Sequence, residues 1–392
     1  MNKKSRFFFW TVWLMLIAAI VFSSVTLLTG GVKLVSKRDY AILQRYKRLN
    51  DVYNILMDDY YGDLDEETLV HGAITGMTQS VQDEYTRYFT AEEMQQHDLE
   101  LNGKYLGVGM LLQMGADGVV YVARVYENSP AYEAGMQVGD IITGFNGIDL
   151  AGIDNAGFDA AMNEIQFETG STLTIQVLRN GETVEIMLVC REVVISNINS
   201  RMLDNNIGYI EIIQFGGNAV EGFLAAGEHL QDARALIIDV RDNPGGLLDD
   251  VLVIADELLD GGLIVYMEGK GGERENYYAQ SGAWDIPVAV LVNESSASAS
   301  EILAAAVQEN DRGVVIGTQS YGKGIVQTLV TFEGDGAGLQ YTESKYFTPD
   351  GHDIHQKGIT PDIIVENEEN DAQLACAIEY LLKITENNEN DE

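Results

Sequence analysis

Four serines fall within the stretch SSASAS, at positions 295, 296, 298 and 300, directly ahead of an apolar, helix-favouring run, EILAAAV. A serine hydroxyl can attack a carbonyl carbon only if a neighbouring group takes its proton. Histidine is the usual acceptor, and the chain holds five, His71, His97, His229, His352 and His355. None lies in a turn after a buried strand. His71 and His97 fall in helical stretches near the amino terminus, His229 in a helix on the face of the core, and His352 with His355 in a polar loop. The i, i+3 pair in HDIH has no third ligand nearby, so it reads as surface and no metal site is expected. Lysine can serve instead where desolvation removes its charge, because the neutral amine carries a lone pair. Lys323 lies between Gly322 and Gly324, a setting in which the backbone can close around a desolvated side chain.

The elements that must position these groups follow from pattern. From about Ile207 the chain reads strand, turn, helix: NIGYIEIIQF, then ALIIDVRDNPGGLLDDVLVIADELL, then PVAVLVNESSASASEILAAAVQE. That alternation predicts a layered α/β core. GVVIGTQSYGKGIVQTLVTF supplies a further strand and the glycine-bounded lysine. Between about 102 and 191 the texture changes to short strands with glycine-rich turns. Asn180-Gly181 separates two alternating runs, Thr172 to Arg179 and Thr183 to Leu188, and predicts a hairpin. With the loop Leu106, Gly107, Val108, Gly109 and the stretch SPAYEAGMQVGDIITGFNG, this segment resembles a PDZ domain. In such a loop the amides of Val108, Gly109 and Met110 converge on an incoming carboxylate while the peptide adds as a strand, so Leu106 to Met110 are the expected substrate-binding residues.

Toward the amino terminus, Lys3, Lys4 and Arg6 precede a segment without charge from Phe7 to Val32. It is long enough to span a bilayer once, and the flanking cations would keep its start cytoplasmic and export the rest. An uncleaved anchor is expected over a signal peptide, since no A-x-A site follows. Residues 36 to 82 have apolar positions at helical spacing (Leu43, Tyr46, Leu49, Tyr53, Leu56), broken at Gly62, and no polar constellation, which predicts two or three packing or dimer-forming helices near the membrane. A last helix is expected to reach about Ile384, with TENNENDE as a solvated end. The net charge of −37 argues against a nucleic-acid partner and for an acidic, solubilising surface. Cys190 and Cys376, in apolar contexts, read as free thiols.

Taken together, DVRDNPGGLL (239–248), SSASASEILAAAVQENDRGVVIGTQSYGKGIVQ (295–327) and KYFTPDGHDIHQKGITPDIIV (345–365) closely resemble the carboxyl-terminal processing peptidases, or tail-specific proteases. These combine a PDZ domain with a Ser/Lys hydrolase core. GMTQSVQDEYTRYFTAEEM (76–94) fits the segment ahead of the PDZ domain, although VQDEYTRYF lacks the family's proline, and His355 stands where the family often has other residues. Both departures bear on packing or gating rather than on chemistry.

The resemblance implies Ser298 as nucleophile, Lys323 as general base and Gln327 as the residue that holds the lysine. Ser296 and Ser300 become small turn residues. With Ser298 at the start of a helix, the amide of Ala299 can face a developing oxyanion, and Gly245 or Gly246 supplies a second donor. The expected architecture is a multi-domain α+β and α/β chain: a transmembrane helix (1–32), a helical region (33–101), a PDZ domain (102–191), the Ser/Lys protease core (192–366), and a terminal helix with an acidic tail (367–392). The function implied is a serine endopeptidase, single-pass in the cell membrane with its catalytic part extracytoplasmic. It would cut proteins near their carboxyl termini, with the PDZ domain engaging the tail, no cofactor, and a homodimeric state. A catalytically silent PDZ adaptor is the alternative from another class, and an amidase or esterase on a small substrate is a third.

Overall fold

The computed structural model describes residues 3–28, 36–115, 118–150, 152–153, 155–163, 165, 168–366 and 371–391. The chain divides into two units, Met1–Gly76 and Met77–Glu392. The first is helical. Lys3–Leu28 contains an apolar span, Arg6–Val25, of which nothing is buried. Its length and composition suffice to cross a membrane; residues 29–32 of the expected segment lie outside the described residues. Lys37–Asp59 starts on a capping box, in which Ser36 Oγ accepts the Asp39 amide and the Asp39 carboxylate accepts the Ser36 amide. Leu43, Tyr46 and Leu49 on this helix remain exposed.

The second unit contains a six-stranded sheet in the order Ile198–Leu203, Ile207–Ile212, Ala235–Asp239, Val288–Val292, Gly313–Gly317, Ile363–Ile364. The first pair is antiparallel and the others parallel. Because side chains alternate across a strand, Ile238, Val290 and Val292 face one layer while Ile237, Ala289 and Leu291 face the other. The helices Ala219–His229, Leu248–Leu258 and Ala299–Glu309 cover the first face. The terminal helix, through Ala377 and Leu381, covers the second. Burial on both faces explains the unbroken apolar runs of these strands. Truncating a fully buried contact such as Leu303 to alanine costs about 2–5 kcal/mol.

A second sheet of the core was not anticipated. Gly338–Phe347 pairs antiparallel with Arg87–Phe89, Gly262–Gly269 and Ile325–Thr331, and Gly262–Gly269 pairs with Arg274–Ala279. It joins residues more than 250 positions apart, for Gln340 Nε2 donates to the Tyr85 carbonyl. The PDZ sheet runs Met110–Met114, Val120–Val125, Ile141–Phe145, Thr172–Arg179, Glu182–Val189, and Asn180 and Gly181 both take positive φ at the expected hairpin. The terminal helix, Ala372–Asp391, continues past Ile384 through the stretch read as a loose end. Residues 367–370, where that helix was expected to open, lie outside the described residues.

Candidate active site

The serine turn is built by what surrounds it. Ser298 precedes the helix Ala299–Glu309 with φ 56° and ψ −114°, a left-handed conformation that costs a non-glycine residue about 1–3 kcal/mol. Three contacts hold it there. The Ser298 amide donates to Glu301 Oε2 at 2.9 Å, the Tyr346 hydroxyl donates to the Ser298 carbonyl at 3.1 Å, and a Cβ on Gly245 would lie 2.7 Å from Ser298 Cβ. Only glycine therefore fits at 245. The neighbouring hydroxyls are committed elsewhere, Ser296 Oγ donating to the Val240 carbonyl and Ser300 Oγ to the Asn243 carbonyl, both fully buried. Ser295 is exposed. Ser298 instead lines a cleft of about 360 Å³.

Lys323 lines the same cleft, together with Gln327, Gly246, Ala299, His97 and Tyr346. Its two glycine neighbours are needed for close approach: a Cβ at 322 would lie 2.8 Å from the Lys357 amide nitrogen, and one at 324 would lie 2.7 Å from that of His355. Burial pushes the Lys323 ammonium pKa below the ordinary lysine value, against the opposing pull of the Glu301 and Glu84 carboxylates. Gln327 Nε2 reaches Thr342 Oγ1 at 3.5 Å on the adjacent strand. Among the described residues no hydrogen bond joins Lys323 Nζ to Ser298 Oγ or to Gln327.

Glu301 ties the two sides together. It is fully buried and accepts four hydrogen bonds: from the Ser298 and Lys323 amides (both 2.9 Å), from Ser320 Oγ (2.6 Å) and from the Gly322 amide (2.7 Å). Asn243 does similar work on the opposite side, its Oδ1 accepting the Gly245 amide and its carbonyl the Ala297 amide. Ala299 and Gly246 line the cleft, and neither amide has an acceptor among the described residues. Gly246 is itself pinned beside Phe215, which donates to the Gly245 carbonyl and accepts from the Leu247 amide.

Known proteins resemble this chain in sequence and fold. The profile of Peptidase family S41 matches residues 206–365, that of the PDZ domain 104–189, and that of the activating protease CtpB N-terminal domain 27–93. A CtpA-like serine protease of Staphylococcus haemolyticus is 31% identical over 92% of this chain and 73% of its own length. The chain belongs to the carboxyl-terminal processing peptidases of family S41. A CtpA-like serine protease of Staphylococcus epidermidis is 34% identical over 81% of this chain and 65% of its own. Among solved structures, the photosystem II D1 C-terminal processing protease aligns with a TM-score of 0.53 and 25% identity, over 88% of this chain and 98% of that one.

In this S41 peptidase the PDZ loop stands apart from the cleft. Leu106 and Gly107 end a strand paired with Arg191–Val194, and Met110 opens the next. Gly109, at φ 83°, packs so closely on Ser129 that a Cβ would sit 1.9 Å from Ser129 Cβ. None of residues 106 to 110 lines the cleft.

Two expectations about histidine need correction. His97, assigned to a packing helix, stacks on Phe89 and lines the cleft, because its helix Ala91–Leu101 follows a strand added to the lysine-bearing sheet. His355, read as surface, has a covered Nδ1 with no hydrogen-bond partner, because its backbone closes on Gly324. His352 is exposed and pairs with Glu309 at 2.9 Å. Among the described residues, no group of three His, Cys, Asp or Glu is placed to hold a metal ion, and both cysteines are free.

Proposed function

We propose that the protein is a membrane-anchored, extracytoplasmic endopeptidase that cuts polypeptides near their carboxyl termini with Ser298 and Lys323. The observation that carries this is the pairing of one uncommitted serine, on a strained turn, with a lysine whose charge is disfavoured by burial in the same cleft. Neutral Lys323 accepts the Ser298 proton as Oγ attacks the scissile carbonyl. The amides of Ala299 and Gly246 receive the oxyanion, Gly246 rather than Gly245 because the Gly245 amide already bonds Asn243. Collapse expels the amine, which takes the proton from Lys323, and water then hydrolyses the acyl-enzyme with the lysine again as base. Gln327, on the wall of the cleft, orients the amine when substrate closes the site; such hydrogen bonds are commonly long in the empty enzyme.

The PDZ domain binds substrate tails at Leu106 to Met110 and gates the cleft. Contacts at both ends of the PDZ domain support gating. The chain entering the PDZ domain packs on Gly216 and Gly217, where a Cβ would lie 2.4 Å from the carbonyl oxygens of Leu101 and Asn102. The chain leaving it reaches the same turn, Asn197 Nδ2 donating to the Gly216 carbonyl. Phe215, next in sequence, is the residue that holds Gly246. The apolar helix Lys3–Leu28 supplies the anchor, and the exposed Leu43, Tyr46 and Leu49 supply a face for a second copy of the chain. Incubating the full chain with unfolded proteins and mapping the cuts by mass spectrometry tests the activity. Cuts near carboxyl termini, absent in Ser298→Ala, are expected; no cleavage would favour a silent adaptor.

A further inference from the structure

Tyr85 belongs to the segment whose sequence bears on packing or gating rather than on chemistry, yet its ring lies against the candidate base. Lys323 Nζ stands 4.7 Å from the Tyr85 ring centroid, over its face. A cation in that position is attracted by the ring quadrupole, whereas a neutral amine is not. The placement is enforced by the fold. Asp83 accepts hydrogen bonds from the Tyr85 amide at 3.1 Å and from Thr86 Oγ1 at 2.6 Å, which fixes the turn. Gln340 Nε2 donates to the Tyr85 carbonyl at 3.1 Å, and the Thr342 amide donates to Thr86 Oγ1 at 3.3 Å. Arg87–Phe89 then adds as a strand to Gly338–Phe347. The other side of Gly338–Phe347 pairs with Ile325–Thr331, the strand that Lys323 leads into, and Thr342 is also the partner of Gln327. The ring and the lysine thus stand at the entries to two strands, Arg87–Phe89 and Ile325–Thr331, that pair with the same Gly338–Phe347.

We propose that the face of Tyr85 is the seat of protonated Lys323, which makes Tyr85 a positioning residue for the Ser298–Lys323 reaction; this rests on Lys323 being the base. The ammonium rests on the ring, away from Ser298, and on losing its proton the amine loses that attraction and is released toward the serine. Other groups act on the same charge. Glu301 from the serine-bearing helix and Glu84 from the Tyr85 turn favour the ammonium, while burial opposes it. Burial pushes the Tyr85 phenol pKa up, and its hydrogen bond with Tyr321 adds to this, so the phenol is held neutral. His97 and Tyr346 share the cleft, burial pushing the imidazole pKa down and the phenol pKa up, so both are uncharged there in neutral solution. His355 closes on the backbone of Gly324.

The test measures the protonation of Lys323 directly. In full-length Ser298→Ala protein in detergent, the pH dependence of Lys323 acetylation by acetic anhydride is read by mass spectrometry, since only the neutral amine reacts. Tyr85→Leu should lower the pH of half-reaction by about half to one unit, and Tyr85→Phe, which keeps the ring face, should leave it in place. In the active background the acid limb of kcat/KM should move by the same amount in Tyr85→Leu. An unmoved or raised half-reaction pH in Tyr85→Leu, or a Phe variant that behaves like Leu, would overturn the proposal. If the leucine variant does not fold, fluorinated phenylalanines at 85 weaken the face stepwise at nearly constant shape, and a half-reaction pH independent of fluorination has the same force. Retained hydrolysis in Lys323→Arg would instead remove the lysine as base, an outcome separate from the labelling result.

Discussion

Ser298 leads into a helix whose next nine residues, Ala299 to Val307, are all buried, whereas Lys323 leads into a strand whose residues Val326 to Leu329 are only partly covered. The serine turn is fixed by the Glu301 carboxylate, the Tyr346 hydroxyl and the close approach of Gly245. The backbone of Lys323 is fixed by the same Glu301, but its amine makes no hydrogen bond among the described residues and Gln327 makes one long one. A nucleophile must be held still at the mouth of the oxyanion donors, while a base must move between taking a proton and returning it. In the proposed dyad the first stands on the best-packed helix of the core and the second at the edge of a less covered sheet.

The strongest way to break this contrast is at the chemistry. Ser298→Ala should lower kcat/KM by about 10⁴-fold or more, with a melting temperature at or slightly above the parent's because alanine carries no more bulk at the strained turn. Lys323→Arg should lose as much, since guanidinium does not deprotonate. The wild-type rate should fall as pH drops through the lysine pKa, because burial lowers that pKa but protonation still removes the base. A rate flat across the acid limb would remove the titrating base.

Glu301 is where the two sides meet, so Glu301→Ala should damage both. Four donors would lose their acceptor, and a stability loss of about 3–5 kcal/mol with at least about a 100-fold loss of kcat is expected from thermal melts and peptide kinetics. Gln327→Ala sharpens the contrast: about 10–100-fold in kcat, with stability changed by no more than about 0.5 kcal/mol, because its one hydrogen bond is long and half-exposed. A large destabilisation there would mean that the lysine side is as rigid as the serine side.

The smallest effect concerns the PDZ domain. Deleting residues 102–191 should raise turnover of a short peptide with a blocked carboxyl terminus by about tenfold, as release of a mostly closed state requires. An unchanged rate, with folding checked, would leave the domain as a tether.

Much of this site could be read from the chain because its parts are local. NPGG, SSASASE and YGKGIVQ each follow a strand of the parallel sheet, and each keeps its chemistry within a few residues. Glu301 carried a signal that went unused: a serine followed three residues on by glutamate before an apolar run is the spacing of a capping box. Tyr85 and His97 could not be found that way. The pairing of Arg87–Phe89 with Gly338–Phe347, a register set by side chains hundreds of residues apart, brings His97 to the cleft wall and Tyr85 against Lys323. The antiparallel sheet escaped for the same reason, since its half-covered strands lack the continuous apolar runs of the parallel one. His355 looked like surface because nothing local tells that Gly324 has room for its backbone.

The most direct measurement is the site of covalent capture by a fluorophosphonate, which reports an activated serine without any choice of substrate. The full chain should yield a single adduct on the peptide containing Ser298, and Lys323→Ala should abolish it while Ser296→Ala, if folded, leaves it. An adduct on another serine, or undiminished labelling of Ser298 without Lys323, would contradict a Ser298–Lys323 dyad.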